Sequence, residues 1–444
     1  MESDLDLLVI GGGMAGLTAA ASAAHNGMSV VLLEIGADVG GSGRYARYIW
    51  TAPTREVMEE QNPEGVRELR EKVVEDFAEA VSWIQSTGVG TGQPQRILPF
   101  GIGHKVDTNQ YIDTCRKLVE QAGGEVWLRA TASELLEAGG AIGGARVTTA
   151  DGRSHELRAR HTLLATGGFQ GSTKLREELV GPGAGTLPVR SNPNSRGGGM
   201  ELARSAGAAI GFERAGFYGH LIPSGIPFAD PADFTDLSLY FSEHALLFNL
   251  SGKRFTDETL GDHLTTIALS EQPEARGLLV FDSRVYRTWN ASAYVEGADV
   301  LDKFALATRR GGRTGLARTL DEFDLLPEDW GYDGSRIRQA IEHFNARAEA
   351  GEPLTPGRQL DAAPFDEPPF YVIETIPAIT FPFCGIRIDS RARVLDSTGA
   401  VIPGLLAAGS DTGGLWNRAY AGGVASAVVF GLTAAATAGT TAGE

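Results

Sequence analysis

The fold turns on residues 5–16, which read Leu5-Asp6-Leu7-Leu8-Val9-Ile10-Gly11-Gly12-Gly13-Met14-Ala15-Gly16. A mostly apolar run of strand length enters a G-x-G-x-x-G turn, and the Ala-rich stretch beyond it predicts a helix to about Asn26-Gly27. Ser29 to Glu34 predicts a second strand that ends in a carboxylate. A β-α-β unit of this kind is the mononucleotide-binding half of a Rossmann sheet. Gly11 allows the tight turn, Gly13 lets the backbone approach a pyrophosphate, and Gly16 lets the helix pack close to the strand. The first-turn amides, Met14 and Ala15 among them, offer free N–H groups and a partial positive charge to phosphates. Glu34 accepts from ribose hydroxyls and repels a 2′-phosphate.

Working outward, three further segments favour FAD over NAD as the dinucleotide. Gly40-Gly41-Ser42-Gly43 lets the chain wrap the rest of the ligand, with Gly41, Ser42 and Gly43 as contacts. Ala165-Thr166-Gly167-Gly168-Phe169 reads as a strand end that returns to the adenosine side. Gly404 to Gly414 is another strand end, carrying Gly409 and Asp411, and a helix begins near Gly422-Gly423. The amides of Gly423 and Val424 at that helix start are expected to face the flavin and stabilise the anion of its reduced ring. Ala132, in the strand-rich stretch 125–160, completes the expected cofactor contacts.

The rest of the composition narrows the function class. With 444 residues and 42% hydrophobic content, the chain can bury one large core or two smaller ones, and its length suits two or three domains. Its formal charge of −17 disfavours nucleic acid and anionic membrane as partners. Only two cysteines occur, and neither Cys115 nor Cys384 sits in a metal, cluster or haem spacing, so no metal site is expected. Glu2, Asp4 and Asp6 replace the basic region of a signal peptide, and Gly422 to Gly439 reads as a buried helix rather than a membrane span. A cytoplasmic location is the expectation.

Helical periodicity marks 64–88 and 108–122, with a loop expected from Gly90 to Gly103. From Ile222 to about Pro369 the Gly clusters thin out, and strand patterning resumes at Phe370. The expected organisation is α/β: a discontinuous Rossmann-like FAD-binding domain (1–221 and 370–444) with an inserted α+β capping domain (222–369).

Ser251-Gly252-Lys253-Arg254-Phe255-Thr256-Asp257-Glu258, Val401-Ile402-Pro403-Gly404-Leu405 with Ala408-Gly409, Asn345-Ala346 and Pro369-Phe370-Tyr371 carry a family resemblance over essentially the whole chain. The sequence resembles the fumarate reductase/succinate dehydrogenase flavoprotein superfamily. In active-site pattern it is most similar to 3-ketosteroid Δ1-dehydrogenase and tricarballylate dehydrogenase-like members. The resemblance implies an active site between the FAD domain and the cap, and an inserted cap whose loops between Leu221 and Asp236 set specificity. Covalent members attach flavin to a His after the ribose-binding Glu. Here that stretch reads Arg44-Tyr45-Ala46-Arg47-Tyr48, so FAD is expected to bind non-covalently.

The fumarate-reducing residues are mostly absent. Counted from Gly252-Lys253-Arg254-Phe255, the proton-donor Arg position holds Asp262, the relay positions hold Ser238 and Phe241, and two further family positions fall on Phe381 and Tyr420. His220, in Tyr218-Gly219-His220, occupies a family His position. Tyr420-Ala421-Gly422-Gly423-Val424 is instead similar to the Y-P-G-x-G of ketosteroid dehydrogenases. A Tyr hydroxyl and an amide at a helix start polarise a carbonyl, a base takes the adjacent proton, and a hydride moves to or from flavin N5. Tyr420 is therefore the expected electrophile, with Tyr218 and His220, then Tyr240, His244 and His263, as candidates for the base. Arg418 either binds a substrate carboxylate or pairs with an acid such as Asp411. His104 is placed on a loop bordering the site. Desaturation beside a ketone carbonyl is the leading expectation, organic-acid chemistry of the tricarballylate or enoate type the second, and a flavin-binding protein without turnover the third. The expected partners are a small-molecule substrate and an external electron acceptor or donor.

Overall fold

The computed structural model describes residues 5–98, 100–227, 233–291 and 300–440. Of the expected specificity loops between Leu221 and Asp236, residues 228–232 lie outside this set. The chain divides into two compact units. The first is Met1–Gly185, Ser191–Phe217 and Phe381–Glu444; the second is Thr186–Arg190 and Tyr218–Thr380.

The first unit is built on an eight-stranded sheet, whose main path runs Arg393–Leu395, Val401–Ala407, Ser154–Leu164, Leu5–Ile10, Val30–Glu34, Glu125–Leu128. Leu5–Ile10 pairs in parallel with Val30–Glu34 on one side and with Ser154–Leu164 on the other. Val401–Ala407 extends the parallel set beyond Ser154–Leu164. Leu7, Leu8 and Val9 are wholly buried, as strands covered on both faces require. Helix Met14–His25 is buried along nearly its whole length, which explains its Ala content. Small side chains let helix Gly423–Gly439 come so close that a Cβ on Gly431 would sit 2.7 Å from the Ala15 carbonyl oxygen.

The helical periodicity of 64–88 resolves into two helices, Arg67–Glu75 and Phe77–Ser86. One sequence expectation changes here. The expected loop at 90–103 contains strands Gln95–Ile97 and Gly101–Lys105, which pair with each other, and the second also pairs with Tyr48–Thr51. Both strands are short, and the second is interrupted by Gly, so neither shows an alternation long enough to read.

The second unit carries a five-stranded sheet in which Phe217–Pro223, Phe370–Pro382, Gly277–Phe281 and Leu246–Asn249 are ordered neighbours, and Thr314–Ala317 pairs with Phe370–Pro382. Its core gathers Leu246, Phe248, Leu278, Val280, Phe281 and Ile373, joined by Ile337, Ile341 and Phe344 of helix Gly334–Glu349. Arg254 and Glu258 form a buried ion pair at 2.6 Å, and Arg358 reaches the same carboxylate at 3.2 Å.

Candidate functional site

In the first unit, four parallel strands deliver the expected cofactor residues at their carboxyl ends. Gly11 to Gly16 follow Leu5–Ile10, Glu34 ends Val30–Glu34, Ala165 to Gly167 follow Ser154–Leu164, and Gly409 follows Val401–Ala407. Ligands of open parallel sheets bind at this end, where the strand order reverses direction. Gly11 has φ +112, and a Cβ there would lie 2.2 Å from the Ala165 carbonyl oxygen, so no other residue fits. The Gly40 amide donates to the Gly12 carbonyl at 2.7 Å, which folds the Gly41–Tyr45 turn back over the glycine turn. The Ser42 hydroxyl accepts from the Asn192 amide at 3.2 Å. Ala132 lies on strand Thr131–Ala138, close in sequence to Ala130, whose amide donates to the Glu34 carbonyl at 2.9 Å.

These residues fit a dinucleotide. Helix Met14–His25 has no capping side chain and no acidic residue in its first turn. A Cβ built on Gly13 meets no atom within 4 Å, so open space faces the uncapped amides. Glu34 is 6% exposed, and its two carboxylate oxygens are held by the Gly12 amide at 2.9 Å and the Gly36 amide at 2.7 Å. A fixed, buried carboxylate with lone pairs to spare suits ribose hydroxyls.

Asp411 has a different use. Its carboxylate accepts from the Thr166 amide, from the Thr166 hydroxyl at 2.9 Å and from the Gly168 amide at 2.8 Å. Burial pushes the carboxyl up, and the loop amides oppose that shift. Asp411 thus ties the Thr166-Gly167-Gly168 turn to the strand end at Gly409. The Arg418 side chain is exposed.

The segment before helix Gly423–Gly439 is shaped by Asn62, which carries no sequence signal. Its wholly buried side-chain oxygen accepts from three consecutive amides, Asn417 at 3.1 Å, Arg418 at 3.2 Å and Ala419 at 3.1 Å. Buried Arg70 donates to the Asn62 backbone carbonyl. Gly422 has φ +96, and a Cβ there would lie 1.7 Å from the Trp50 carbonyl oxygen. The chain is therefore pinned on both sides of Tyr420.

Tyr420 is 9% exposed, and its hydroxyl oxygen accepts the Gly423 amide at 2.8 Å. The two groups expected to polarise a carbonyl side by side are thus linked in series. Around Tyr420 stand Trp50 at 5.3 Å, Trp416 at 5.5 Å and Phe381 at 5.9 Å between ring centroids, with Phe383 5.7 Å from Trp416. Val424, in the first helical turn, is 9% exposed.

In the second unit, Tyr218, His220, Tyr240 and His263 come together. Tyr218 and Tyr240 each lie 5.0 Å from His220, and Tyr218 lies 5.8 Å from His263. His220 Nε2 is 2.8 Å from the Tyr218 hydroxyl, and its Nδ1 contacts the Asp262 carboxylate. The Leu221 amide also donates to Asp262, at 3.1 Å. Burial pushes the Asp262 carboxyl up to about 7. Burial, then the Arg190 and Lys303 cations, hold His220 well below its usual range, so the imidazole stays neutral. Lys303 is lowered to about 8, chiefly by burial, and donates to the Thr235 and Asp236 carbonyls at 2.8 Å each. Buried Arg190 donates to Thr380 at 2.8 Å and Ser238 at 2.9 Å. No sequence motif marks Arg190 or Lys303. His244 stands apart, bound to Asp361 at 2.9 Å and stacked on Trp289 at 3.8 Å. His104 lies on a strand, with Nδ1 2.7 Å from the Gly92 carbonyl oxygen.

A parallel sheet with a glycine turn, a ribose-type carboxylate and an aromatic-enclosed Tyr at a helix start defines a flavin-dependent oxidoreductase. The chain belongs to the FAD binding domain family, whose model matches residues 46–426, and an NAD(P)-binding Rossmann-like domain matches residues 9–59. It is 26% identical to the urocanate reductase of Eggerthella lenta, over 99% of this chain and 75% of that protein. It is 27% identical to the 4-oxocyclohexanecarboxylate 2-dehydrogenase of Sinomonas cyclohexanicum, over 68% of this chain and 54% of that one. Its fold resembles that of 3-ketosteroid Δ4-(5α)-dehydrogenase from Rhodococcus jostii, with a TM-score of 0.76, 19% identity, and coverage of 99% and 98% of the two chains. Among the described residues no helix is long and apolar enough to cross a membrane, and no group of His, Cys, Asp or Glu could hold a metal ion.

Proposed function

We propose that this chain is an FAD-dependent dehydrogenase, or reductase in the opposite direction, acting on a carbon–carbon bond next to the carbonyl of a cyclic ketone. The observation that carries the reading is the Tyr420 hydroxyl, held by the Gly423 amide inside a wall of aromatic rings. A hydroxyl that accepts one hydrogen bond is a stronger donor of its own. Donated to a substrate carbonyl, it acidifies the neighbouring C–H. The rings of Trp50, Phe381, Phe383 and Trp416 suit a flat apolar body better than a small dianion. Bound non-covalently by Gly11 to Gly16, Glu34, Gly41 to Gly43 and the amides near Gly423, FAD supplies the two-electron acceptor or donor.

Tyr218 and His220, in the second unit, are the candidate base. With Asp262 ionised, His220 donates Nδ1–H to it, and Nε2 accepts from the Tyr218 hydroxyl. That relay takes a proton in dehydrogenation and returns it in reduction. Electrons pass to or from an external partner.

A second reading, an unsaturated organic acid held by Arg418, is favoured by the similarity to a urocanate reductase across 99% of the chain. Anaerobic titration of the holoenzyme separates them. Flavin bleaching by saturated cyclic ketones, lost in Tyr420→Phe, supports the ketone reading. Reoxidation of reduced enzyme by unsaturated acids alone, lost in Arg418→Ala, overturns it in favour of the acid.

A further inference from the structure

Trp416 is 5% exposed, and its indole N–H is buried without a hydrogen-bond partner among the described residues. Its ring packs 5.5 Å from Tyr420, 5.8 Å from Phe381 and 5.7 Å from Phe383. None of the described residues places an acceptor within hydrogen-bond reach of the N–H. A buried donor left unmade costs on the order of 1–3 kcal/mol, so such a group persists where a ligand completes it. The indole N–H only donates, so the completing atom is an acceptor. An apolar ring environment favours an uncharged oxygen over a carboxylate.

We propose that Trp416 is a specificity-determining residue that binds a second, neutral oxygen on the substrate, across the ring from the oxygen held by Tyr420. This rests on the ketone reading of the Tyr420 site and narrows it to cyclic ketones bearing a second carbonyl, ether or hydroxyl oxygen. Tyr420 and Trp416 then act as two donors on one ring, and the aromatic walls hold its faces.

The test is binding, not turnover. Oxidised holoenzyme and its Trp416→Phe variant are titrated calorimetrically with para-methoxyphenol and para-ethylphenol, unreactive ring analogues of matched size. The wild type should prefer the methoxy compound about tenfold, which one hydrogen bond of about 1.4 kcal/mol provides. Trp416→Phe should lose that preference and keep its affinity for the ethyl compound. Without ligand, the variant should match or exceed the wild-type Tm, since it lacks an unanswered donor. A preference that survives the substitution overturns the proposal, as does failure of both phenols to bind. A fall in ligand-free Tm means that the protein itself satisfies the N–H, which also overturns it. A changed flavin spectrum or weaker FAD binding assigns the N–H to the cofactor and overturns it too. Bleaching by cyclic ketones that depends on Tyr420 would stand under all of these outcomes, so the two readings fail separately.

Discussion

The backbone N–H of Gly423 donates to the hydroxyl oxygen of Tyr420 across 2.8 Å. One side chain thereby caps the start of helix Gly423–Gly439, and in the reading proposed above its O–H also polarises the substrate carbonyl. Tyr420→Phe removes both functions. Flavin reduction by substrate should slow by about 10²–10³-fold, the usual loss for a preorganised donor at a developing oxyanion. Stability should drop by about 1 kcal/mol with the lost cap. Stopped-flow absorbance and thermal unfolding read the two effects, while FAD content stays unchanged.

Asn62 should behave as a positioning residue. In Asn62→Ala three buried or half-buried amides lose one shared acceptor, and unfolding free energy should fall by about 2–3 kcal/mol. With Tyr420 less well fixed, kcat should fall more than KM rises. If only Tm changes, Asn62 holds the loop without governing the chemistry.

The Asp262 carboxyl, raised to about 7, gives a signed pH dependence. Above that value its charge fixes the His220 tautomer that accepts from Tyr218, so dehydrogenation should rise with pH and level off beyond about 7. Reduction should follow the opposite limb. Asp262→Asn should erase the inflection in kcat/KM profiles. Because the folded carboxyl holds its proton more tightly than the unfolded one, stability should also decline as pH rises from the unfolded value of 3.8 toward about 7.

Flavin retention should depend on Glu34 and not on a covalent bond. Acid precipitation of the holoenzyme should leave all the flavin in the supernatant. Glu34→Gln, which loses a charge-assisted acceptor worth about 1.5–3 kcal/mol, should weaken FAD binding by roughly 10–100-fold in fluorescence titrations.

The cofactor end of the molecule was legible because its residues are local. Gly11 to Gly16 and Glu34 announce themselves through strand, turn and helix within one short stretch, and the later Gly clusters fall at strand ends as expected. Asp411 was legible in position but not in use, since its three donors lie far upstream around Thr166 and Gly168. Asn62, Trp416, Arg190 and Lys303 carry no motif at all. Their significance comes from burial and from partners distant in sequence, which spacing cannot reveal. The Tyr218-His220 pair was readable, but its completion by Asp262 required the fold to bring two distant segments together.

The sheet that binds the dinucleotide is stitched from both sides of an insertion, with Val401–Ala407 laid against Ser154–Leu164 and Asp411 fastened to Thr166. During synthesis the glycine turn and Glu34 leave the ribosome long before the strand and helix that finish their pocket. The inserted unit, whose strands are all made by residue 382, is complete earlier. Flavin loading is therefore a late event in the life of each molecule, and a truncated product that folds its insertion correctly would still be born colourless.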